Sequence, residues 1–226
     1  MTQDGGCKLC HAEPPGRNAA EAERLVVAFD FDGTLTVRDS FTAFLRWRAG
    51  PVRYAIGLAR LAPAAGGYLI DKDRGRIKAA AAREFLGGLG RTDLDAAARA
   101  FARSQADRLF RPDALATWRA WRAKPVRLVI VTASPTIVVR PFAEILGADA
   151  LIGTELAYDD DERVTGAFAT PNCRGPEKVV RLEACFGQGL RLAAAYGDTA
   201  GDREMLAIAD SPGFRIFTAR PTPDAP

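Results

Sequence analysis

The feature that most constrains the fold is an apolar run, LVVAFDF at residues 25–31, that leads into a second acid and a glycine. The run is rich in β-branched residues and shows little alternation of apolar and polar positions. Such a pattern predicts a strand buried on both faces, as in a parallel sheet. The Asp-Gly pair at residues 32–33 predicts that the chain turns at the carboxyl end of this strand.

Two similar runs follow later in the chain, VRLVIVT at 126–132 and LRLAAAYGD at 190–198. Each precedes a segment with helical spacing, at 135–147 and at 200–209. Strands that alternate with helices predict an α/β fold with a doubly wound parallel sheet. We also predict that FRIF, residues 214–217, forms a further strand.

Two segments do not fit this alternation. The sequence DDDERVTG at 159–166 predicts a hairpin turn between two short strands. Residues 39–110 are rich in Ala, Leu and Arg and have helical spacing in three stretches. An insertion placed directly after the first strand lies over the carboxyl edge of the sheet, where ligands of such folds bind. We therefore predict that 39–110 form a helical cap over the site.

The remaining boundaries follow from this assignment. Residues 24–38 and 111–218 are predicted to form the core domain. Residues 1–23 and 219–226 lack periodicity and contain several prolines, so we expect disordered tails there.

Composition excludes several classes of protein. The chain of 226 residues has 31 basic and 28 acidic residues, and a net charge of +3 gives no field that would attract nucleic acid. It has no apolar run near the roughly 20 residues that cross a bilayer and no signal-peptide pattern, so we expect a cytoplasmic protein. Cys7, Cys10 and His11 superficially match a haem-attachment or zinc motif, but too few further ligands are present, and we expect a disordered tail instead.

Asp30 and Asp32 form the first chemical motif. In an extended segment, residues two apart project to the same side, so both carboxylates face one space. Their repulsion is relieved by a cation between them or by a proton on one of them. Mg²⁺ prefers such oxygen ligands, with Asp30 as nucleophile and Asp32 as general acid and base. An Asp-x-Asp pair is also typical of metal-dependent nucleotide-sugar transferases, which remain an alternative here.

The ends of the other two strands also carry oxygen ligands. Thr132 ends the second run and Ala133 follows it, a hydroxyl residue and a small residue that let the backbone approach a ligand. Asp198 follows the third run, and Asp202 lies one helical turn later on the same face. Helix capping is the alternative function of Ser134, Asp198 and Asp202.

Lys178 is the candidate cation for this acidic site. It follows a Gly-Pro loop and opens a helix, so its ammonium could neutralise the nucleophile and the phosphoryl oxygens. The alternative is a solvated lysine at the start of a helix.

The four segments AFDFDGTLT, IVTASP, GPEK and YGDTAGD, in this order, resemble the four motifs of haloacid dehalogenase (HAD) superfamily phosphatases. The helical insertion resembles the C1-type cap of the phosphoserine phosphatase-like branch, subfamily IB. The resemblance implies a HAD-like Rossmannoid core, a Mg²⁺ cofactor and an aspartyl-phosphate intermediate. It implies that Asp30 is the nucleophile, Asp32 the acid and base, Thr132 and Lys178 phosphate ligands, Asp198 a metal ligand and Asp202 its support through water. The metal set is then Asp30, Asp32 through its backbone carbonyl, Asp198 and Asp202.

The substrate depends on the cap. Asp39 takes the place of a glutamate that, in true phosphoserine phosphatases, binds the substrate amino group, so a small phosphorylated metabolite such as phosphoserine is expected. The arginine for the substrate carboxylate could be Arg74, Arg76 or Arg83.

The early cap also resembles phosphatidylglycerophosphatase C-like proteins, which makes a lipid head group an alternative substrate. Basic and apolar residues there suggest peripheral contact with an anionic membrane, against the alternative of solvated arginines on a packed helix. These residues are Arg46, Arg48, Arg53, Arg60, Trp47 and Tyr54. A catalytically idle interaction protein is the remaining alternative, and no protein partner is inferred.

Overall fold

The structure is a computed structural model that describes residues 25–62 and 74–222. Its centre is a five-stranded sheet in the order β3-β2-β1-β6-β7, in which every neighbouring pair is parallel. A separate antiparallel hairpin contains β4 and β5. The strands are β1 Val26–Phe29, β2 Arg127–Pro135, β3 Ala150–Thr154, β4 Leu156–Tyr158, β5 Val164–Phe168, β6 Leu192–Gly197 and β7 Ala209–Phe214.

Helices cover both faces of this sheet and form the insertion after β1. They are α1 Ser40–Arg60, α2 Arg74–Leu86, α3 Arg91–Leu109, α4 Pro112–Arg122, α5 Thr136–Leu146, α6 Pro176–Phe186 and α7 Arg203–Ala207, with a 3₁₀ turn at Ala200–Asp202. The predicted α/β fold with a parallel sheet is confirmed. The three apolar runs form β1, β2 and β6, which are adjacent in the sheet.

Alternation along β1 divides the core into two layers. Val27 and Phe29 pack on one face, in a cluster that includes residues from α4, α5 and the inserted helices. Val26 and Ala28 pack on the other face, against α6 and α7. All four side chains are buried. A strand buried on both faces is what the unbroken apolar run predicts.

The edge strand differs from its prediction. We predicted a strand at 214–217, but β7 ends at Phe214 and pairs with β6 from Ala209 onwards. Pro212 disfavours a strand in the sequence, but an edge strand tolerates a residue that lacks an N–H. The sequence patterns also did not predict β3 or α4. No helix within the described ranges has the length and apolar character to cross a bilayer.

The ends of the chain bear on other predictions. The predicted N-terminal tail, with Cys7, Cys10 and His11, lies outside the described residues, as do residues 223–226. Within the predicted C-terminal tail, the Ala219 N–H donates to the Asp113 carboxylate at 2.9 Å. The domain boundaries stay a prediction.

The hairpin at 159–166 is confirmed, and it packs against the inserted helices. Residues between α2 and α3 pair with β5: the Gly88 N–H donates to the Val164 carbonyl, and the Val164 N–H donates to the Leu89 carbonyl, each at 2.9 Å. Gly166 lies so close to α2 that an added Cβ would be 2.5 Å from Arg83 Cα. The hairpin thus ties the core to the helix that follows the undescribed segment.

Gly166→Ala tests this contact, and Gly147→Ala is its matched control. Both glycines have positive φ, 83° and 62°, but an added Cβ at Gly147 meets nothing within 4 Å. We expect Gly147→Ala to lower the free energy of unfolding by about 1 kcal/mol, the cost of the left-handed conformation alone. Gly166→Ala should cost at least about 2 kcal/mol, since the backbone of α2 must also move. Equal losses in urea unfolding would contradict the close packing of hairpin and helix.

Candidate active site

The candidate site lies at the carboxyl ends of the three central strands. Asp30 follows β1, Ala133 lies near the end of β2, and Asp198 follows β6. Because these strands are parallel neighbours, their ends meet at one edge of the sheet. Lys178 reaches the same place from the first turn of α6. A cavity of about 270 Å³ opens there, lined by all four residues.

The Lys178 ammonium organises the acids. It is buried, with 1% of the residue exposed, and donates to Asp30 Oδ1 at 2.6 Å, Asp202 Oδ1 at 2.7 Å and the Val131 carbonyl at 2.7 Å. These bonds use its three donors. Burial opposes a positive charge, but the two carboxylates outweigh it and raise the pKa of Lys178. The alternative of a solvated lysine is wrong.

Asp202 is fixed by the turn in which it lies. Its Oδ2 accepts the backbone N–H of Thr199 at 2.9 Å and that of Asp198 at 3.2 Å. Burial acts to raise the pKa of Asp202, but the Lys178 charge and these hydrogen bonds lower it below its usual value. Asp202 is therefore an ionised group that holds both the lysine and the loop carrying Asp198. The capping alternative is correct for Asp202, whereas Thr199 occupies the capping position proposed for Asp198.

Asp30 is 6% exposed, and its surroundings shift its pKa in opposite directions. Burial raises its pKa to about 7, the charges of Asp202 and Asp32 act in the same direction, and Lys178 opposes them. The Thr34 hydroxyl donates to its Oδ2 at 3.3 Å. A carboxylate with these neighbours is held in one orientation, and a further cation beside it would favour its ionised form.

The donor set fits a magnesium ion. Asp30, Asp198 and Asp202 each offer one carboxylate oxygen, and these oxygens lie within 4.8 Å of one another. Burial and the Asp202 charge raise the pKa of Asp198. An added Cβ at Gly33 would be 2.3 Å from Asp198 Oδ2, so only glycine allows this approach. Crowded, hard oxygen ligands of this kind suit Mg²⁺.

The Asp32 side chain is held away from this cluster. Its Oδ1 accepts the Ser40 N–H at 2.6 Å, and its Oδ2 accepts the Ser134 hydroxyl at 2.5 Å. Burial and the Asp39 charge raise its pKa, which favours a protonated carboxyl. The capping alternative for Ser134 is wrong, since Pro135 occupies that position in α5. We did not predict that Ser134 holds the Asp32 carboxyl, although Ser134 directly follows the Thr132-Ala133 pair in the sequence.

Comparison with known proteins identifies the family of this chain. The sequence pattern of the haloacid dehalogenase-like hydrolases matches residues 27–207. The chain belongs to the haloacid dehalogenase-like hydrolase family. Protein CicA of Caulobacter vibrioides is 58% identical over 199 residues, covering 88% of this chain and 89% of that protein.

Solved structures share the fold of this hydrolase. A Bordetella pertussis protein of unknown function is 25% identical with a TM-score of 0.71, covering 84% of this chain and 89% of that one. A substrate-bound phosphoserine phosphatase complex is 19% identical with a TM-score of 0.56, covering 84% and 85%. The predicted family and its phosphoserine phosphatase-like fold are confirmed.

The other predicted residues differ in whether they line the cavity. Thr132 is fully buried, and its hydroxyl oxygen accepts the Ser134 N–H at 3.0 Å. Its neighbour Ala133 lines the cavity, whereas Thr132 is not among the lining residues. Phosphate binding by Thr132 and Ala133 stays a prediction. Asn172 and Arg174 also line the cavity, and no sequence pattern pointed to them.

Asp39 lies at the cavity but is already engaged. One oxygen caps α1 by accepting the Thr42 N–H at 2.7 Å, and the other lies 3.5 Å from the Lys78 ammonium. Burial would raise the pKa of Asp39, but Lys78 and the capping bonds lower it. Its binding of a substrate amino group stays a prediction.

Lys78, from the cap helix α2, also lines the cavity, and we did not predict it. Its ammonium also lies 3.5 Å from the Ser134 hydroxyl. Arg76 and Arg83, the described candidates for a substrate carboxylate, are two and five positions from Lys78. Those spacings place them on other faces of α2. The Arg74 side chain lies outside the described part of the structure.

Lys178→Met tests whether the ammonium holds two buried acids. Without it, Asp30 and Asp202 are buried without a counter-charge, and their pKa values rise. Their ionisation then opposes folding, so the variant should lose about 3–5 kcal/mol of unfolding free energy at pH 8. The loss should be smaller at pH 5, where the acids take up protons.

Urea unfolding at both pH values measures this. Adding Asp30→Asn to Lys178→Met removes one buried carboxylate that lacks a counter-charge. The double variant should therefore recover part of the lost unfolding free energy at pH 8. A loss that is the same at pH 5 and pH 8 would contradict the ion-paired arrangement.

Proposed function

We propose that this hydrolase is a Mg²⁺-dependent phosphomonoester hydrolase that works through an aspartyl-phosphate on Asp30. The observation that carries the proposal is the position of Asp30. Its carboxylate is held by Lys178, faces the cavity and shares a possible metal site with Asp198 and Asp202. A group fixed in this way is aligned to attack a phosphorus atom, since orientation supplies much of the catalytic effect.

The residues divide the reaction between them. Asp30 attacks phosphorus and forms the acyl-phosphate, while Asp32 donates its proton to the leaving alkoxide. Asp32 then takes a proton from the water that hydrolyses the acyl-phosphate. Lys178 balances charge on Asp30 and the phosphoryl oxygens throughout. Asp30, Asp198 and the Asp32 carbonyl would hold Mg²⁺, with Asp202 supporting it through water, and the bound ion would supply positive charge for the transferring group.

The two acids have environments suited to these different functions. The Asp32 carboxyl has a raised pKa, because burial and the Asp39 charge outweigh the opposing Lys78 charge, so it can hold the proton that the leaving group needs. Burial raises the pKa of Asp30 to about 7, but the Lys178 charge beside it opposes this shift, and a metal ion shared with Asp198 and Asp202 would also favour its anion. Membership in a hydrolase family leaves the nucleotide-sugar transferase alternative without support.

The proposed substrate is a small phosphorylated metabolite, such as phosphoserine. The shared fold with phosphoserine phosphatases and the position of Asp39 at the cavity support it. A lipid head group is the second candidate. It is favoured by the arginines of α1, although Arg53 forms an ion pair with Glu84 at 2.7 Å and Arg48 donates to the Phe85 carbonyl. Membrane contact and a cytoplasmic location stay predictions.

Asp30→Asn should abolish turnover. An amide cannot form the acyl-phosphate, so we expect kcat for p-nitrophenyl phosphate to fall at least about a thousandfold. Asp160→Asn is the matched control, because Asp160 is an exposed acid in the hairpin turn and should keep full activity. Circular dichroism confirms that both variants are folded. Activity in folded Asp30→Asn near that of the control would refute the assignment.

Asp32→Asn should slow both chemical steps, by about a hundredfold. With an alkyl phosphate, formation of the intermediate slows because the alkoxide needs a proton. With p-nitrophenyl phosphate, whose leaving group is a weak base, breakdown should be affected more than formation. Rapid-quench measurement of alcohol and phosphate release separates the steps. Normal breakdown of the intermediate would contradict the acid and base function.

A further inference from the structure

A second cavity lies within the cap, and its chemistry differs from that of the catalytic cavity. It has a volume of about 400 Å³, and its walls come from α1 and α2. Most of its lining is apolar. The apolar and aromatic residues include Phe41, Leu45, Tyr54, Leu58, Ile77 and Phe85.

The two cavities adjoin at Lys78. This residue lines both of them, and its ammonium lies at the catalytic side, 3.5 Å from both the Ser134 hydroxyl and the Asp39 carboxylate. The start of α1 also lies where the two cavities adjoin. Asp39 lines the catalytic cavity, and Phe41, two residues later, lines the cap cavity. A molecule that passes Lys78 therefore moves from charged surroundings to apolar ones.

We propose that the cap cavity binds an apolar portion of the substrate, so that the preferred substrates are phosphate monoesters of alcohols with an alkyl chain. This inference rests on the proposed function, because it places the phosphate at Asp30. Mostly apolar cavities of this size with one or two polar groups at the rim are typical of ligand sites. Lys78 then lies where the phosphate end of the substrate meets its chain.

The charges of the site favour this class over phosphoserine. The serine part of phosphoserine carries an ammonium and a carboxylate. Burying either group beside Leu45 or Phe85 without a partner is unfavourable. Lys78 is already paired with Asp39, so the pair is neutral as a unit. An alkyl chain covers the apolar lining without requiring a charged partner.

A series of alkyl phosphates tests the proposal. We expect kcat/KM of the full chain with Mg²⁺ to rise by about fourfold per added methylene from ethyl to hexyl phosphate, the ratio expected for burial of one methylene. Each ester is used below its micelle concentration. Phosphoserine, measured beside them, should have a lower kcat/KM than hexyl phosphate.

Leu58→Asp and Val52→Asp form a matched pair for the same series. Both residues lie on α1 and are exposed, 48% and 71%, so neither substitution empties the core. Leu58 lines the cap cavity and Val52 does not. Leu58→Asp should reduce the ratio of kcat/KM for hexyl over ethyl phosphate at least about tenfold, whereas Val52→Asp should leave the ratio unchanged.

The outcomes separate the two proposals. If ethyl and hexyl phosphate are hydrolysed equally well, the substrate class is wrong and the phosphatase function stands. A rising series that Leu58→Asp leaves unchanged would show that the alkyl chain binds elsewhere, which also overturns the inference. If no ester is hydrolysed, the proposed function fails with it.

Discussion

The buried contact of Lys178 with Asp30 and Asp202 is the interaction on which the rest of the site depends. The carboxylates of Asp30, which follows β1, and Asp202, in the turn after β6, would repel each other, and burial would return both to their neutral forms. The ammonium at 2.6 and 2.7 Å from them removes this conflict. It also joins three elements, since Asp30 follows β1, the Val131 carbonyl belongs to β2, and Lys178 begins α6.

The cap supplies what the core lacks. The core edge holds the acids, Lys178 and Arg174, while α1 and α2 add the Ser40 N–H that contacts Asp32 and the Lys78 ammonium near it. Asp32 is thus oriented by Ser40 of α1 and Ser134 of β2 rather than by its own strand. The β4–β5 hairpin holds α2 from the core side, so the position of Lys78 depends on packing far from the chemistry. The positions of Asp32 and Lys78 therefore depend on the same helices.

The sequence predicts the parts of this arrangement that local pattern determines. The three apolar runs identified the central strands, and acids at their ends had to converge once the sheet was parallel. Lys178 was found because it opens a helix after a Gly-Pro loop. Lys78 was not, since nothing in an alanine-rich helix indicates which of its cations faces the site. The edge strand was misplaced because Pro212 is acceptable only where one side of a strand is unpaired.

The most direct test of the central claim is chemical trapping of the intermediate. Borohydride reduces an acyl-phosphate to an alcohol, so the enzyme is quenched with it during turnover of a phosphate ester with Mg²⁺, and its peptides are analysed by mass spectrometry. The account predicts a reduced side chain at position 30 and at no other acid. Turnover that leaves residue 30 unmodified, or reduction at Asp32 instead, would contradict it.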